Sequence, residues 1–245
     1  MKIFEKTLNE FKTQILDEYL KKEKILIKMR PLKPEEAIGY PKRNDYPLLL
    51  GKEVLIQAEF NNSKGQAFTD EPYNFCGKIK DILTLKFTTN RERALFISTM
   101  NAVMRELKLV DGTVHCKNDE PENCAKKVVN FIFNKYGKIK IALVGLQPAF
   151  ATALIEKFEA KNIYILDLDI KNFSKKIKGV PVLDSKKYYK DILKKSDLTL
   201  ATGSTIVNDT IDEIIKYSNE IIFYGVTIAG ASKLLNLNRL CENSH

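Results

Sequence analysis

The chain has 245 residues, 44% hydrophobic and 29% charged, enough for one large core or two modest ones in an ordinary water-soluble globular protein. Its net charge of +9 is scattered as pairs such as Lys21-Lys22, Lys126-Lys127 and Lys194-Lys195. With no run of five like charges, zinc-finger spacing or RNP aromatic motif, this favours solvated lysine faces over a nucleic-acid partner. No apolar run nears the ~18–20 residues of a membrane span, and the charged, helix-like start has no signal-peptide core, so a cytoplasmic protein without a membrane partner is expected.

In chain order, apolar residues Ile3, Phe4, Leu8, Phe11, Ile15, Leu16, Tyr19 and Leu20 form one helical stripe over residues 3–20. Pro31, Pro34, Pro41 and Pro47 then exclude a long regular helix. The stretch EVLIQAEFNNSKGQAFTDEP predicts a β-hairpin around Asn61–Gly65. An amphipathic helix follows over residues 91–108. Another runs from about Pro121 to Tyr136, with Asp119 or Glu120 near its N-cap. Residues 1–136 are thus expected to form a small α+β domain.

From Lys138 the texture alternates. KIKIALVG, NIYILDLD, DLTLATG and EIIFYG predict strands, and PAFATALIEKFEA, SKKYYKDILKKS and TIVNDTIDEIIKYS predict helices. This alternation predicts an α/β, Rossmann-like parallel sheet over residues 137–245.

Ligands of such sheets collect at the carboxyl ends of the strands. The first strand ends at Gly145, with Gln147 opening the next helix, but GxGxxG is absent. Gly145 permits close backbone approach, or it serves only a tight turn. Asp167, twenty-two residues after Gly145, stands where Rossmann domains place the acid that bonds a ribose hydroxyl, and Asp169 follows. A solvated strand-end aspartate is the alternative. Thr202, Gly203, Ser204 and Thr205, with Asn208 and Thr210 beyond, combine hydroxyls, a glycine and an expected helix start. Capping explains Ser204 or Thr205 alone, whereas ligand contact also accounts for Asn208 and Thr210.

The stretch TGSTIVNDTIDEII, together with VGLQPAF, resembles the Rossmann-like half of the putative heavy-metal chelation family, and the resemblance extends more weakly over the whole chain. It implies an enolase-like N-terminal domain joined to the Rossmann-like one, with a cleft between them and a role connected with metals.

His115, Cys116 and Cys124 are the candidate ligands for a transition metal, with Cys76 as an added thiol. Their spacing matches no standard zinc signature, and buried core cysteines are the alternative. Cys241 and His245 lie near the C-terminus, where disorder is the expectation. Ser-His-Asp order, Walker A, HExxH and kinase signatures are absent, which leaves His115 as the one non-terminal imidazole for acid–base work.

Three functions fit. The first is a small-ligand-binding protein of metal or metallocofactor handling. The second is a methyltransferase that holds S-adenosylmethionine or another nucleoside-type ligand, for example one acting on a pyridinol in iron-cofactor biosynthesis. The third is a non-catalytic sensor or scaffold. NAD-dependent oxidoreduction ranks below these because the glycine fingerprint is missing. The expected partner is a small molecule, and a homodimer is compatible with the sequence.

Overall fold

The computed structural model describes residues 2–16, 26–51 and 53–245. Within them the first helix, α1 (Lys2–Phe11), continues into a π-helical turn, Lys12–Leu16. Residues 17–20 of the expected helix lie outside the described residues.

Two sheets organise the molecule. The first is antiparallel, with order β3-β2-β1-β4, from β1 (Leu26–Pro31), β2 (Val54–Phe60), β3 (Ser63–Thr69) and β4 (Phe75–Lys78). The expected hairpin is β2–β3, turning at Asn61, whose φ is +50°. A short helix, α2 (Pro34–Ala37), lies between β1 and β2 in sequence, and another, α3 (Ile79–Leu83), follows β4. Helix α4 (Asn90–Glu106) begins at a capping box in which Thr89 accepts from Glu92 N and Glu92 reaches back. It packs on β3 so closely that a Cβ at Gly65 would come within 2.2 Å of Ala102 N. Arg93–Met104 are all buried, so the helix is covered on every side and not on the single face that the amphipathic reading expects.

The second sheet has order β10-β9-β5-β6-β8-β7. After α5 (Glu120–Tyr136) come β5 (Ile141–Val144), α6 (Pro148–Phe158), β6 (Ile163–Asp167), β7 (Lys176–Ile177) and β8 (Val180–Asp184). Then follow α7 (Ser185–Lys195), β9 (Leu198–Thr202), α8 (Ile211–Tyr217), β10 (Ile221–Tyr224) and α9 (Ala229–Leu235). All neighbours pair in parallel except β7 with β8, so the α/β, Rossmann-like reading holds.

Strand residues alternate between two cores. Ile141, Leu143, Ile163 and Ile165 pack with α5 and α6. Ala142, Val144 and Leu166 face the other way, in one apolar cluster with Ile192 and Leu193 of α7, Ile214 of α8 and residues of α1, α4 and β2. That second cluster joins the two sheets. Buried polar groups reinforce the junction. Asn101 of α4 is fully buried, donates to Gln66 O (3.0 Å) and Val226 O (3.1 Å), and accepts from Gly230 N (2.8 Å). Thr227 Oγ1 accepts from Phe68 N at 3.1 Å, and Arg93 Nε donates to Val207 O. Among the described residues, no helix is long and apolar enough to cross a membrane.

The structure corrects the expected elements in two places. A parallel strand, β8, and its hairpin partner β7 lie between β6 and α7, where only a helix was expected. The run TIVNDTIDEIIKYS is not one helix. Gly203–Ile206 form a 3-10 turn, Asp209 adopts φ +62°, and α8 starts only at Ile211. A left-handed residue in mid-run ends one turn and lets the chain restart.

Candidate functional site

Strand β5 has β6 on one side and β9 on the other, so successive crossovers leave it in opposite directions. Such a reversal opens a crevice at the strands' carboxyl ends. Here it widens into a cavity of about 680 Å3, roofed by residues of the first sheet and its loops.

Gly145 sits at the crevice with φ +85°, and a Cβ there would lie 2.7 Å from Thr202 Cγ2. Both the turn and the neighbouring strand end therefore require glycine. Its carbonyl accepts from Tyr224 Oη at 3.0 Å. Gln147 caps α6, its Oε1 accepting from Phe150 N at 2.6 Å, so that oxygen serves the helix.

Asp167 closes β6, and its carboxylate braces two loops. Oδ2 accepts from Leu146 N (2.6 Å), and Oδ1 from Asp169 N (2.7 Å) and Asn172 Nδ2 (3.2 Å). Asp169 Oδ1 in turn accepts from Lys171 N. Both aspartates line the cavity, but Asp167 first serves as a loop anchor.

At the end of β9, Thr202 Oγ1 lies 3.1 Å from Ser204 Oγ, and Thr205 donates its hydroxyl proton to Thr202 O (2.9 Å). Thr205 is thus a buried wall residue with its proton engaged. Gly203 lies under Ile228, where a Cβ would approach Ile228 N to 2.8 Å. Asn208 accepts from Thr210 Oγ1 (2.7 Å) through Oδ1. Neither Asn208 nor Thr210 is inside a helix, since Thr210 is the N-cap of α8. The structure thus brings Gly145, Gln147, Asp167, Asp169, Thr202, Gly203, Ser204, Thr205 and Asn208 to one cavity.

The roof adds carboxylates that no motif flagged. Glu53 and Asp70 line the same space as Asp167 and Asp169, whereas Lys186 is the sole lysine or arginine among the described lining residues. Burial, and then the charges of Asp167, Asp70 and Asp169, push the Glu53 carboxyl up to about 7. Glu53 can therefore hold or release a proton near neutral pH. The Tyr224 hydroxyl is raised by burial, with Glu53 and Asp167 adding to it.

His115, Cys116, Cys124 and Cys241 also line the cavity. His115 sets its ring edge-on against Phe68, with centroids 5.5 Å apart, and burial lowers it to about 4. A neutral ring with that affinity for protons is not an acid–base group at neutral pH, contrary to the sequence expectation. Burial pushes the Cys116 thiol up to about 12. Cys124 keeps its proton toward Cys241, which is held below the ordinary thiol range by that hydrogen bond and by Arg239. Among the described residues, no three His, Cys, Asp or Glu side chains gather closely enough to hold a metal ion. The expected set His115, Cys116 and Cys124 therefore lines one cavity without forming a metal-holding group among the described residues. Cys76 is exposed on β4 and absent from the cavity wall.

Comparison with known proteins bears on this chain at two levels. Residues 127–236 match the model of the family DUF364, described as putative heavy-metal chelation. The fold is similar to the crystal structure of a DUF364-family protein of unknown function from Pyrococcus horikoshii. The TM-score is 0.51 at 18% identity, over 92% of this chain and 78% of that one. A second DUF364-family structure, from Desulfitobacterium hafniense DCB-2, gives a TM-score of 0.49 at 17% identity, over 74% and 72%. No curated protein matches. Both VGLQPAF and TGSTIVNDTIDEII lie inside the matched residues, and this chain resembles the DUF364, putative heavy-metal chelation, family there in sequence and more broadly in fold.

Proposed function

We propose that the cleft binds a small cationic or metal-bearing molecule, in a protein of metal or metallocofactor handling. One observation carries this reading. In a chain of net charge +9, the described residues of the cavity wall include Glu53, Asp70, Asp167 and Asp169 against one lysine, Lys186. A surface that concentrates the minority sign attracts cations and repels bare phosphates or carboxylates. The family match over residues 127–236 points to the same chemistry. Because no ready-made metal cage exists among the described residues, the carboxylate end suits a metal that arrives with its own ligands. Ser204, Asn208 and the Gly145 turn offer polar handles to such a complex, and no reaction step is implied.

Calorimetry tests this with an inert cationic complex, hexamminecobalt(III), against inorganic phosphate, S-adenosylmethionine and NAD. The cobalt complex should bind below millimolar, and Asp70→Asn with Asp169→Asn should weaken it. Tighter binding of phosphate, or no cation binding below about millimolar, a level worth only ~4 kcal/mol, overturns the reading. The S-adenosylmethionine methyltransferase is the second reading. The comparisons lend it no support, and most of the hydrogen-bonding capacity of Asp167 is already turned to backbone and Asn172.

A further inference from the structure

The cavity wall changes character from one side of the parallel sheet to the other. On the β6 side it is acidic, with Asp167 ending the strand and Asp169 following it. On the β10 side it is apolar and aromatic. Tyr224 ends β10, Val226 follows, and the ring of Phe150 lies 4.7 Å from that of Tyr224. Phe68 belongs to this second side, since its amide donates to Thr227 Oγ1 at 3.1 Å and its ring meets that of His115 at 5.5 Å. The order β10-β9-β5-β6 sets the two sides three strand spacings apart, roughly 14 Å between strand axes.

The roof repeats this division along the β2–β3 hairpin. Leu55 and Phe68 are register partners, and both pack with the apolar cluster of α5 and α6. Two residues further toward the open end of the hairpin stand Glu53, just before β2, and Asp70, just after β3. Phe68 is only half-buried, so part of its side chain is left to the cavity that it lines. The Tyr224 hydroxyl is spent on Gly145 O (3.0 Å), which leaves its ring as wall. A space of about 680 Å3 is the size of sites that take organic molecules.

We infer that the guest is an amphipathic organic cation, with a flat aromatic body against Phe68, Phe150 and Tyr224 and an amine-like group at the carboxylates of Asp70 and Asp169. This rests on the carboxylate reading of the cleft and adds the class of molecule. A bare inorganic cation satisfies the acids but leaves the apolar side against water. A neutral aromatic molecule fills the apolar side but leaves the acids uncompensated, and an aromatic anion is repelled by them. A molecule with both parts matches both sides. Aromatic side chains also favour a flat partner in offset or edge-on contact over an aliphatic one of equal size.

Tryptamine is the probe, because the chain has no tryptophan and indole emission then reports the probe alone. Titrated with the full chain, that emission should shift to the blue as the indole leaves water. Ethylammonium, the same charge without the ring, is measured by displacement and should bind at least roughly tenfold more weakly, the effect of burying an apolar ring. Tryptophol, the neutral analogue, and indole-3-acetate, the anionic one, should also bind more weakly than tryptamine. These comparisons need only the wild-type protein. Phe68→Ala should lower the ratio of tryptamine to ethylammonium affinity by about fivefold, and Asp70→Asn with Asp169→Asn should bring tryptamine down to the level of tryptophol. Absence of a blue shift, equal affinity for tryptamine and ethylammonium, or indole-3-acetate binding as well as tryptamine overturns the inference. Hexamminecobalt(III) is titrated alongside. If it binds while the ring brings no advantage, this inference falls and the carboxylate reading stands. If tryptamine binds and the cobalt complex does not, the organic guest stands without the inorganic one.

Discussion

Asp167→Ala separates a ligand-facing acid from a loop brace. The wild-type carboxylate receives Leu146 N at 2.6 Å, Asp169 N at 2.7 Å and Asn172 Nδ2 at 3.2 Å. Hydrogen bonds to a charged acceptor contribute ~1.5–3 kcal/mol each. The Asp169 and Asn172 donors can turn to water more readily than the amide of Leu146, whose residue is only 8% exposed. A loss of ~2–4 kcal/mol follows, mostly from the stranded Leu146 amide. For a chain of this size that lowers Tm by roughly 5–15 °C. Asp167→Asn keeps one acceptor oxygen and should lose about half as much. Urea unfolding followed by circular dichroism measures both variants, and an unchanged m-value would place the effect in the native state. Stability of Asp167→Ala within about 0.5 kcal/mol of wild type would refute the brace, because ordinary surface substitutions fall in that range.

Glu53→Gln should change how stability depends on pH. The folded carboxyl is raised to about 7, so between the ordinary carboxylate range and that value the folded state holds a proton that the unfolded chain releases, and stability falls as pH rises. The variant should lose this fall and gain on the order of 2 kcal/mol over wild type at pH 8, with no gain at pH 4. Parallel profiles in urea titrations would contradict the assignment. Asn101→Ala should cost about 3–5 kcal/mol, because it strands Gly230 N, Gln66 O and Val226 O in a buried junction. Asn101→Asp should be worse, since a second oxygen would face two carbonyls; a loss below about 1 kcal/mol in equilibrium unfolding would argue against either claim.

The alternation of apolar strands and amphipathic helices after Lys138 was legible because β5, β6, β9 and β10 are apolar runs that end in turn residues. Strand β8 escaped notice because Val180–Asp184 is short, contains Pro181 and alternates only weakly. Pro181 is tolerated because it stands one residue before the stretch of β8 that pairs with β6, Val182–Asp184, while toward β7 it is Val182 that donates, to Lys175 O. Strands β1 and β4 were hidden for related reasons, one ending in Pro31 and the other only four residues long. The false continuation of the helix through Asn208 came from Ile206 and Val207, whose spacing from Ile211 suits a helix although Asp209 breaks the backbone path. On the site side, every residue nominated from the strand ends reached the cavity, because a parallel sheet delivers its carboxyl ends to one place. Glu53 and Cys241 were not legible. Neither sits in a motif, and each meets its neighbours only through packing between stretches far apart in sequence. His115 was visible as an imidazole, but its burial against Phe68 was not.

The grip of Asn101 has a consequence for how the cavity admits a guest. Widening the space by swinging the antiparallel sheet away from the parallel one would strip that amide of its bonds to Gln66, Val226 and Gly230, and would break the Phe68–Thr227 bond as well. Asn101 and Thr227 are buried, so solvent does not replace those bonds without opening the junction, and the two layers behave as a welded frame. Selection then acts at a fixed aperture, through the size and charge of what can pass, and not through jaws that close around whatever has entered.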